Sequence, residues 1–241
     1  MRKPFLSIII PAFNEANRIP DTLRKINAYL VEQDFPSEII VVENGSTDGT
    51  YDIVNEMQGE INCLTVLHED HRGKGWAVQQ GMFRAHGDYR FICDADLSMP
   101  IEEVAHFMPP LELSAPIAIG SREAPGAVRY NEPQYRHVIG RVFNWLVRII
   151  VLPGLNDTQC GFKLFREDAA LAIFPHLTIF GWTFDVEALY IARKMGYKIV
   201  EIPIQWYHHP HSTVKVIRDS IRMGLDLLKI RINDLRGKYA A

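Results

Sequence analysis

Two aspartates one residue apart, Asp94-Ala95-Asp96, follow the apolar run Tyr89-Arg90-Phe91-Ile92-Cys93. A run of that length reads as a buried strand. Both carboxylates then leave the strand end in one direction and can share a hard cation. Mg²⁺ or Mn²⁺ is commonly held by one or two carboxylates together with the phosphates of a substrate. The pattern points to a site for a metal-bound diphosphate of the nucleotide-sugar kind. Alone, the tripeptide reads more readily as a solvated strand end, because short motifs recur by chance.

Two more loops carry matching chemistry. Glu43-Asn44-Gly45-Ser46-Thr47-Asp48-Gly49-Thr50 follows an apolar run and opens a helical segment. Its acidic and amide groups can bond a base and a ribose, and its glycines permit close backbone approach. The same residues also suit a polar turn in which Thr47 or Asp48 caps a helix. Arg72-Gly73-Lys74-Gly75 precedes another helical segment. It could meet a diphosphate at a helix N-terminus or form a solvated turn.

The elements that must position these loops are legible as alternating patterns. Apolar runs at 6–10, 38–42, 64–67 and 91–93 predict strands. Segments 20–31, 50–57 and 74–85 carry apolar residues near a helical period. Strands apolar on both faces and separated by helices imply a parallel sheet covered by helices. Ligands of such sheets bind beyond the carboxyl ends of the strands, where the loops 11–15, 43–49 and 94–100 all fall. Further on, 117–120 predicts a strand, 123–133 a mobile loop, 134–152 an apolar helix, 198–204 a strand and 214–235 a long amphipathic helix.

The 241 residues suit one domain over 1–241, with a nucleotide-binding half over about 1–120 and an acceptor-binding half over about 121–241. The formal net charge of -3 argues against a nucleic-acid partner. Cys63, Cys93 and Cys160 are widely spaced and form no Cys-x-x-Cys pair, which fits a reducing compartment. The run 6–11 is too short for a signal core. No stretch of about 18 apolar residues predicts a membrane span.

In chain order, Pro11-Ala12-Phe13-Asn14-Glu15, the loop 43–50, Gly73-Lys74-Gly75 and Asp94-Ala95-Asp96 resemble glycosyltransferase family 2. Asp157-Thr158-Gln159-Cys160-Gly161-Phe162-Lys163-Leu164-Phe165 is similar to the signature of dolichyl- and polyprenyl-phosphate glucosyltransferases, relatives of the dolichol-phosphate mannosyltransferases. Phe184-Asp185-Val186-Glu187 and Asp226-Leu227-Leu228-Lys229-Ile230-Arg231 strengthen that likeness. The resemblance covers about residues 6–231. It implies an α/β GT-A fold with a mostly parallel central sheet and helices on both faces. It implies a metal-dependent, inverting transfer of a hexose, most readily glucose from UDP-glucose, to a polyprenyl or dolichyl phosphate. A GDP-mannose donor, or a soluble glycan acceptor, are the alternatives.

The same resemblance implies that Pro11, Phe13, Asn14, Glu15, Val42, Glu43, Asn44 and Lys74 line the nucleotide pocket with Asp94, Ala95 and Asp96. Asp94 and Asp96 would hold Mg²⁺ or Mn²⁺. Two positions depart from the pattern. Glu43-Asn44 stands where the family usually has Asp-Asp, and Ser98 stands where the mannosyltransferases often place Gln.

A phosphate acceptor has a second pKa of about 6, so near neutral pH it is already a nucleophile. Positioning and charge neutralisation should then dominate over general-base catalysis. That logic demands cations, with Arg122, Arg136 and Lys215 as the candidates for the acceptor phosphate and Arg129 as a further one. Asp157, in the signature, would orient the acceptor or a water. Asp185 falls where hydroxyl-directed relatives keep a general base, though Thr183 or Asp185 would also serve as a helix cap. His208-His209-Pro210-His211 reads as a loop near the acceptor entrance rather than a metal cluster.

A lipid acceptor requires contact with a bilayer. Segment 138–150 combines apolar bulk, Trp145, Arg141 and Arg148. It suits either a helix lying in the headgroup region or a buried helix with two exposed arginines. The C-terminal helix, with its basic residues, could also face lipid. The expectation is a protein peripheral to the cytoplasmic face of a membrane, acting alone or with a separate membrane partner.

Overall fold

The computed structural model describes residues 3–108, 115–208 and 216–239. The β-branched runs become strands β1 (Leu6–Ala12), β2 (Ser37–Glu43), β3 (Leu64–His68), β4 (Tyr89–Ile92) and β5 (Ile117–Ser121). They are followed by β6 (Val128–Tyr130), β7 (Lys163–Arg166), β8 (Ile199–Pro203) and β9 (Gln205–Tyr207). Seven of them form one sheet in the order β3-β2-β1-β4-β7-β5-β8, antiparallel only where β7 meets β4 and β5. The first and second halves of the chain therefore share a single sheet.

Strand alternation divides the core between two faces. Ile9, opposite Ile40 and Ile92, and Val42 point to the side covered by α3 (Lys74–Arg84), α5 (Glu167–Ile173), α6 (Phe184–Lys194), α4 (Gln134–Ile150) and α7 (Val216–Leu235). Leu6, Ile8, Ile10, Ile39 and Val41 point to the side covered by α1 (Ile19–Val31) and α2 (Thr50–Met57). Burying one such side chain contributes about 1.5–3 kcal/mol. An exposed ion pair such as Lys3 with Asp88 contributes about 0–1 kcal/mol. The two apolar faces, not the surface charges, hold the fold.

The expectation of a mobile loop at 123–133 is corrected. Val128–Tyr130 forms β6 and pairs in parallel with β9. Stacked rings of Tyr130 and Tyr207, 4.4 Å apart, stabilise this ribbon, and Arg129 pairs with both Glu123 and Glu132. Strand β7 has no counterpart among the expected strands, since four residues with a charge at each end give no apolar run. Helix α5 and a 3₁₀ turn at Ile101–Phe107 were likewise not anticipated. No helix among the described residues is long and apolar enough to cross a membrane.

Candidate active site

In the first half of the sheet the strand order reverses between β1 and β4. Crevices at such a switch point, beyond the carboxyl ends of the strands, are where ligands bind in open α/β sheets. The loops after β1, β2 and β4 meet there.

The loops after β1 and β2 are stitched together by side chains. Asn14 takes the left-handed conformation, φ 55°, and its Oδ1 accepts the backbone N–H of Thr47 at 2.8 Å. Its own N–H donates to Ser46 Oγ at 2.9 Å. Asp48 accepts N–H groups from Ala16 and Thr50 and so ties the two loops, while α2 is capped by Gly49, at φ 83° and with no side-chain cap bond, rather than by the expected Thr47 or Asp48. Pro11 is partly buried, Val42 and Asn44 are buried, and Phe13 keeps 37% exposure with the Arg72 guanidinium 5.3 Å above its ring.

Glu43 is 1% exposed, yet its carboxylate is satisfied by the Ser46 N–H and by His68 Nδ1 at 2.6 Å. The contact with Glu43 raises the His68 pKa. The longer arm of Glu, relative to Asp, is used inside the protein. Sequence reasoning missed His68, because the last residue of β3 becomes a neighbour of Glu43 only when the two strands pair in register.

The loop after β4 carries the two aspartates. Asp94 Oδ1 lies 2.6 Å from Lys74 Nζ, at the start of α3. Asp96 Oδ1 accepts the Ser98 N–H at 3.0 Å, and the Ala95 carbonyl accepts Thr22 Oγ1 at 2.7 Å. Between them Leu97 is held at φ 42°. Such a conformation costs a non-glycine residue roughly 1–3 kcal/mol and is retained where the surroundings fix it. Gly161 allows Asp94 its position, since a Cβ there would stand 2.2 Å from Asp94 Oδ2. Gly73, at φ 144°, lets α3 start against the Phe180 carbonyl, which a Cβ would meet at 2.4 Å.

Lys74 sits among negative charge. Burial alone would lower its pKa, but Asp94, Asp185 and Asp96 outweigh that and hold it firmly protonated. Its ammonium also faces the Trp182 ring at 5.7 Å. Asp185, 6% exposed at the start of α6, pairs with Lys163 Nζ at 2.9 Å. Burial pushes its carboxyl up, against the pull of Lys163 and Lys74. Lys163, 1% exposed, was quoted only as part of a signature, yet it is the counter-ion of Asp185 and also donates to the Cys160 carbonyl. Glu15 is pushed up to about 7, first by burial and then by Asp96, Asp94 and Asp48, against the nearby Arg18.

Asp157 is fully buried, with Arg122 as its ion-pair partner and the charge of Lys163 acting on it from the neighbouring network. Its Oδ2 accepts Arg122 Nε at 2.6 Å and its Oδ1 accepts Nη2 at 2.9 Å. Burial would raise its pKa, but the guanidinium holds the carboxyl down at about 2. Glu201 accepts N–H groups from Asn156 and Asp157 and fixes the loop. Arg122 also lies 5.5 Å from the Trp206 ring. Its Nη1 donates no hydrogen bond among the described residues. Arg129 is already paired with Glu123 and Glu132. Arg136 is half-buried on the first turn of α4. Lys215, and the histidine run from His209 to His211, lie outside the described residues.

The donor set fits a hard divalent ion. Both carboxylates are partly exposed, and neither Asp94 Oδ2 nor Asp96 Oδ2 carries a hydrogen bond among the described residues. Oxygen-only donation by two carboxylates leaves coordination positions for substrate phosphates, as Mg²⁺ and Mn²⁺ prefer. No group of three His, Cys, Asp or Glu side chains that could hold a metal ion occurs among the described residues.

The model of "Glycosyl transferase family 2" matches residues 7–174. A dolichyl-phosphate beta-glucosyltransferase of Saccharomyces cerevisiae is 35% identical over 256 residues, 98% of this chain and 76% of that protein. One of Dictyostelium discoideum is 33% identical over 249 residues, 97% of this chain and 76% of that protein. Among solved structures, glucosyl-3-phosphoglycerate synthase of Mycobacterium tuberculosis, in complex with Mn²⁺, UDP-glucose and phosphoglyceric acid, superposes with a TM-score of 0.64 at 16% identity. That match covers 95% of this chain and 79% of the synthase and shows a shared GT-A fold.

Proposed function

The chain belongs to glycosyltransferase family 2, and from that premise we propose that it transfers glucose from UDP-glucose to a polyprenyl-type lipid phosphate, inverting the anomeric carbon. The observation that carries this reading is the meeting of Lys74, Asp94 and Asp96 at the switch between β1 and β4. Similarity to dolichyl-phosphate glucosyltransferases over nearly the whole chain supports the acceptor class.

In this reading the loops after β1 and β2 receive the nucleoside. Phe13 and Arg72 offer flat faces to the base, and the Glu43–His68 pair fixes the pocket floor formed with Val42 and Asn44. Asp94 and Asp96 would hold Mg²⁺ or Mn²⁺, which when bound would supply Lewis-acid neutralisation of charge on the departing diphosphate. Lys74 meets the same diphosphate as a fixed positive charge.

The acceptor phosphate attacks from the face opposite the leaving group. The new bond from phosphate oxygen to the anomeric carbon forms as the bond from that carbon to the donor diphosphate breaks. No proton has to be removed, because the acceptor is largely dianionic. Arg122 Nη1, Arg136 and Lys215 are the cations assigned to it. Asp157 acts by holding Arg122, and Asp185, paired with Lys163, balances the charge around Lys74 rather than standing as a free base.

The reading is tested with labelled UDP-glucose and GDP-mannose against a short polyprenyl phosphate, with and without Mn²⁺. Label should enter the organic phase from UDP-glucose only. Transfer from neither donor, or from GDP-mannose alone, would overturn it.

A further inference from the structure

Glu187, on α6, is a fully buried carboxylate that the proposed reaction leaves unused. Its Oε2 accepts the backbone N–H groups of Thr178 at 2.9 Å and Ile179 at 2.7 Å. Its Oε1 accepts the hydroxyls of Thr178 and Tyr239. Four donors and no cation surround it among the described residues, an arrangement that suits an acceptor-only carboxylate. Tyr239, beyond the end of α7, is also fully buried, with its ring 5.9 Å from that of Tyr190. Burial, and then the hydrogen bond to Glu187, push its phenol well above the ordinary range, so Tyr239 keeps its proton and donates. Asn233, on α7, closes the cluster by donating to Thr178 Oγ1 at 2.8 Å.

The backbone held in this way is the bed on which α3 starts. The Phe180 carbonyl, one residue on from Ile179, accepts the Gly75 N–H at 3.0 Å. A Cβ on Gly73 would stand 2.4 Å from that oxygen, and one on Gly75 would stand 2.9 Å from Phe180 Cα. The Phe180 ring also meets Trp76 edge-on, with ring centres 5.1 Å apart. Lys74 lies between the two glycines, so its backbone is seated on this loop, and its Nζ is the atom that reaches Asp94. Direct contacts therefore run from Tyr239 to Glu187, from Glu187 to the backbone at 178–179, from Phe180 to Gly75 and from Lys74 to Asp94.

We infer that Glu187 and Tyr239 are positioning residues for Lys74: they clasp the segment after α7 onto α6, fix the loop under α3 and so set the ammonium that meets the donor diphosphate. The inference deepens the proposed function and rests on it for the role of Lys74. It also separates two acids of α6. Asp185 faces Lys163 and the charges around Lys74. Glu187, fully buried, touches no substrate and acts through the backbone it holds.

The test is amide hydrogen exchange of the purified chain, followed by NMR at Gly75. The first N–H groups of a helix have no partner within it, so protection of Gly75 reports on the Phe180 carbonyl. Tyr239→Phe removes one hydroxyl and leaves the ring. It should speed exchange at Gly75 at least about fivefold while the amides of β1 and β2 keep their protection. Glu187→Gln, which turns an amide donor toward groups that are themselves donors, should speed it further. Parent-like exchange at Gly75 in either variant would overturn the inference, and so would an even loss of protection across α3, β1 and β2, the mark of a purely structural role. Should Glu187→Gln not fold, Tyr239→Phe decides alone. A kinetic arm checks the route: Tyr239→Phe should lower kcat/KM for the donor about fivefold in the parent and cause no further loss beside Lys74→Gln. Equal losses in both backgrounds would overturn the route through Lys74. Exchange is read without substrate, so failure of the donor assay leaves it interpretable, and failure here leaves the proposed reaction standing.

Discussion

Lys74 Nζ stands 2.6 Å from Asp94 Oδ1, so the cation at the start of α3 and the first acid after β4 are already paired before any donor is bound. The pair sets a fixed ammonium beside the first of the two carboxylates that the proposed reaction assigns to the donor diphosphate. Lys74→Gln should remove one fixed charge without opening a cavity. We expect transfer to fall roughly 10²-fold or more, the scale on which single preorganised electrostatic contacts act. A steady-state comparison of kcat/KM checks it, and unchanged kcat/KM would refute the role.

Gly161 faces the same carboxylate from the other side. A methyl group there would stand 2.2 Å from Asp94 Oδ2, so Gly161→Ala must displace the acid rather than the flanking strand. The fold should survive, because β7 begins two residues later and packs through Leu164 and Phe165. We expect a folded protein with transfer lowered at least about tenfold, consistent with the sensitivity of catalysis to misplacement of about 1 Å. Circular dichroism and activity measured together decide this.

The Arg122–Asp157 pair is a matter of stability as much as function. Removing one partner of a buried pair leaves an uncompensated charge and costs about 3–5 kcal/mol. Asp157→Ala should therefore lower the denaturation midpoint sharply, while the double change R122M/D157L should lose less than the sum of the singles. The folded carboxyl, at about 2, lies below its ordinary 3.8. Its contribution is complete above that ordinary value and is lost as pH falls through the folded one. Additive losses in the double variant would contradict the pairing.

Glu15 behaves in the opposite sense. Its folded pKa of about 7 exceeds the ordinary 4.5, so the folded protein holds this proton where the unfolded chain has released it. The contribution is present in full below the ordinary value and disappears as pH rises through about 7. Glu15→Gln removes the titration, so its melting temperature relative to the parent should rise between about pH 5 and about pH 8. Thermal melts across that window check it, and a constant difference would refute it.

Much of this was legible in the residues. The β-branched runs of β1 and β2 could satisfy two apolar faces only inside a covered parallel sheet, and the acidic and glycine-rich loops fell at its carboxyl edge. Strand β7 was not legible, because Lys163 and Arg166 break its apolar signal and its place between β4 and β5 is set by pairing partners far along the chain. Glu43 with His68, Asp185 with Lys163, and Asp157 with Arg122 were illegible for the same reason. Each pair joins residues separated by twenty or more positions, and only tertiary packing brings them together.

The central claim is that Asp94 and Asp96 grip a divalent ion that takes up the charge of the departing nucleoside diphosphate. The direct measurement is label transfer from UDP-glucose to a short polyprenyl phosphate by the parent and by Asp96→Asn, in Mn²⁺ and in excess chelator. The account predicts robust transfer by the parent in Mn²⁺, its loss in chelator, and a deficit of roughly 10²-fold or more for Asp96→Asn. Undiminished transfer in chelator, or full turnover by Asp96→Asn, would contradict it.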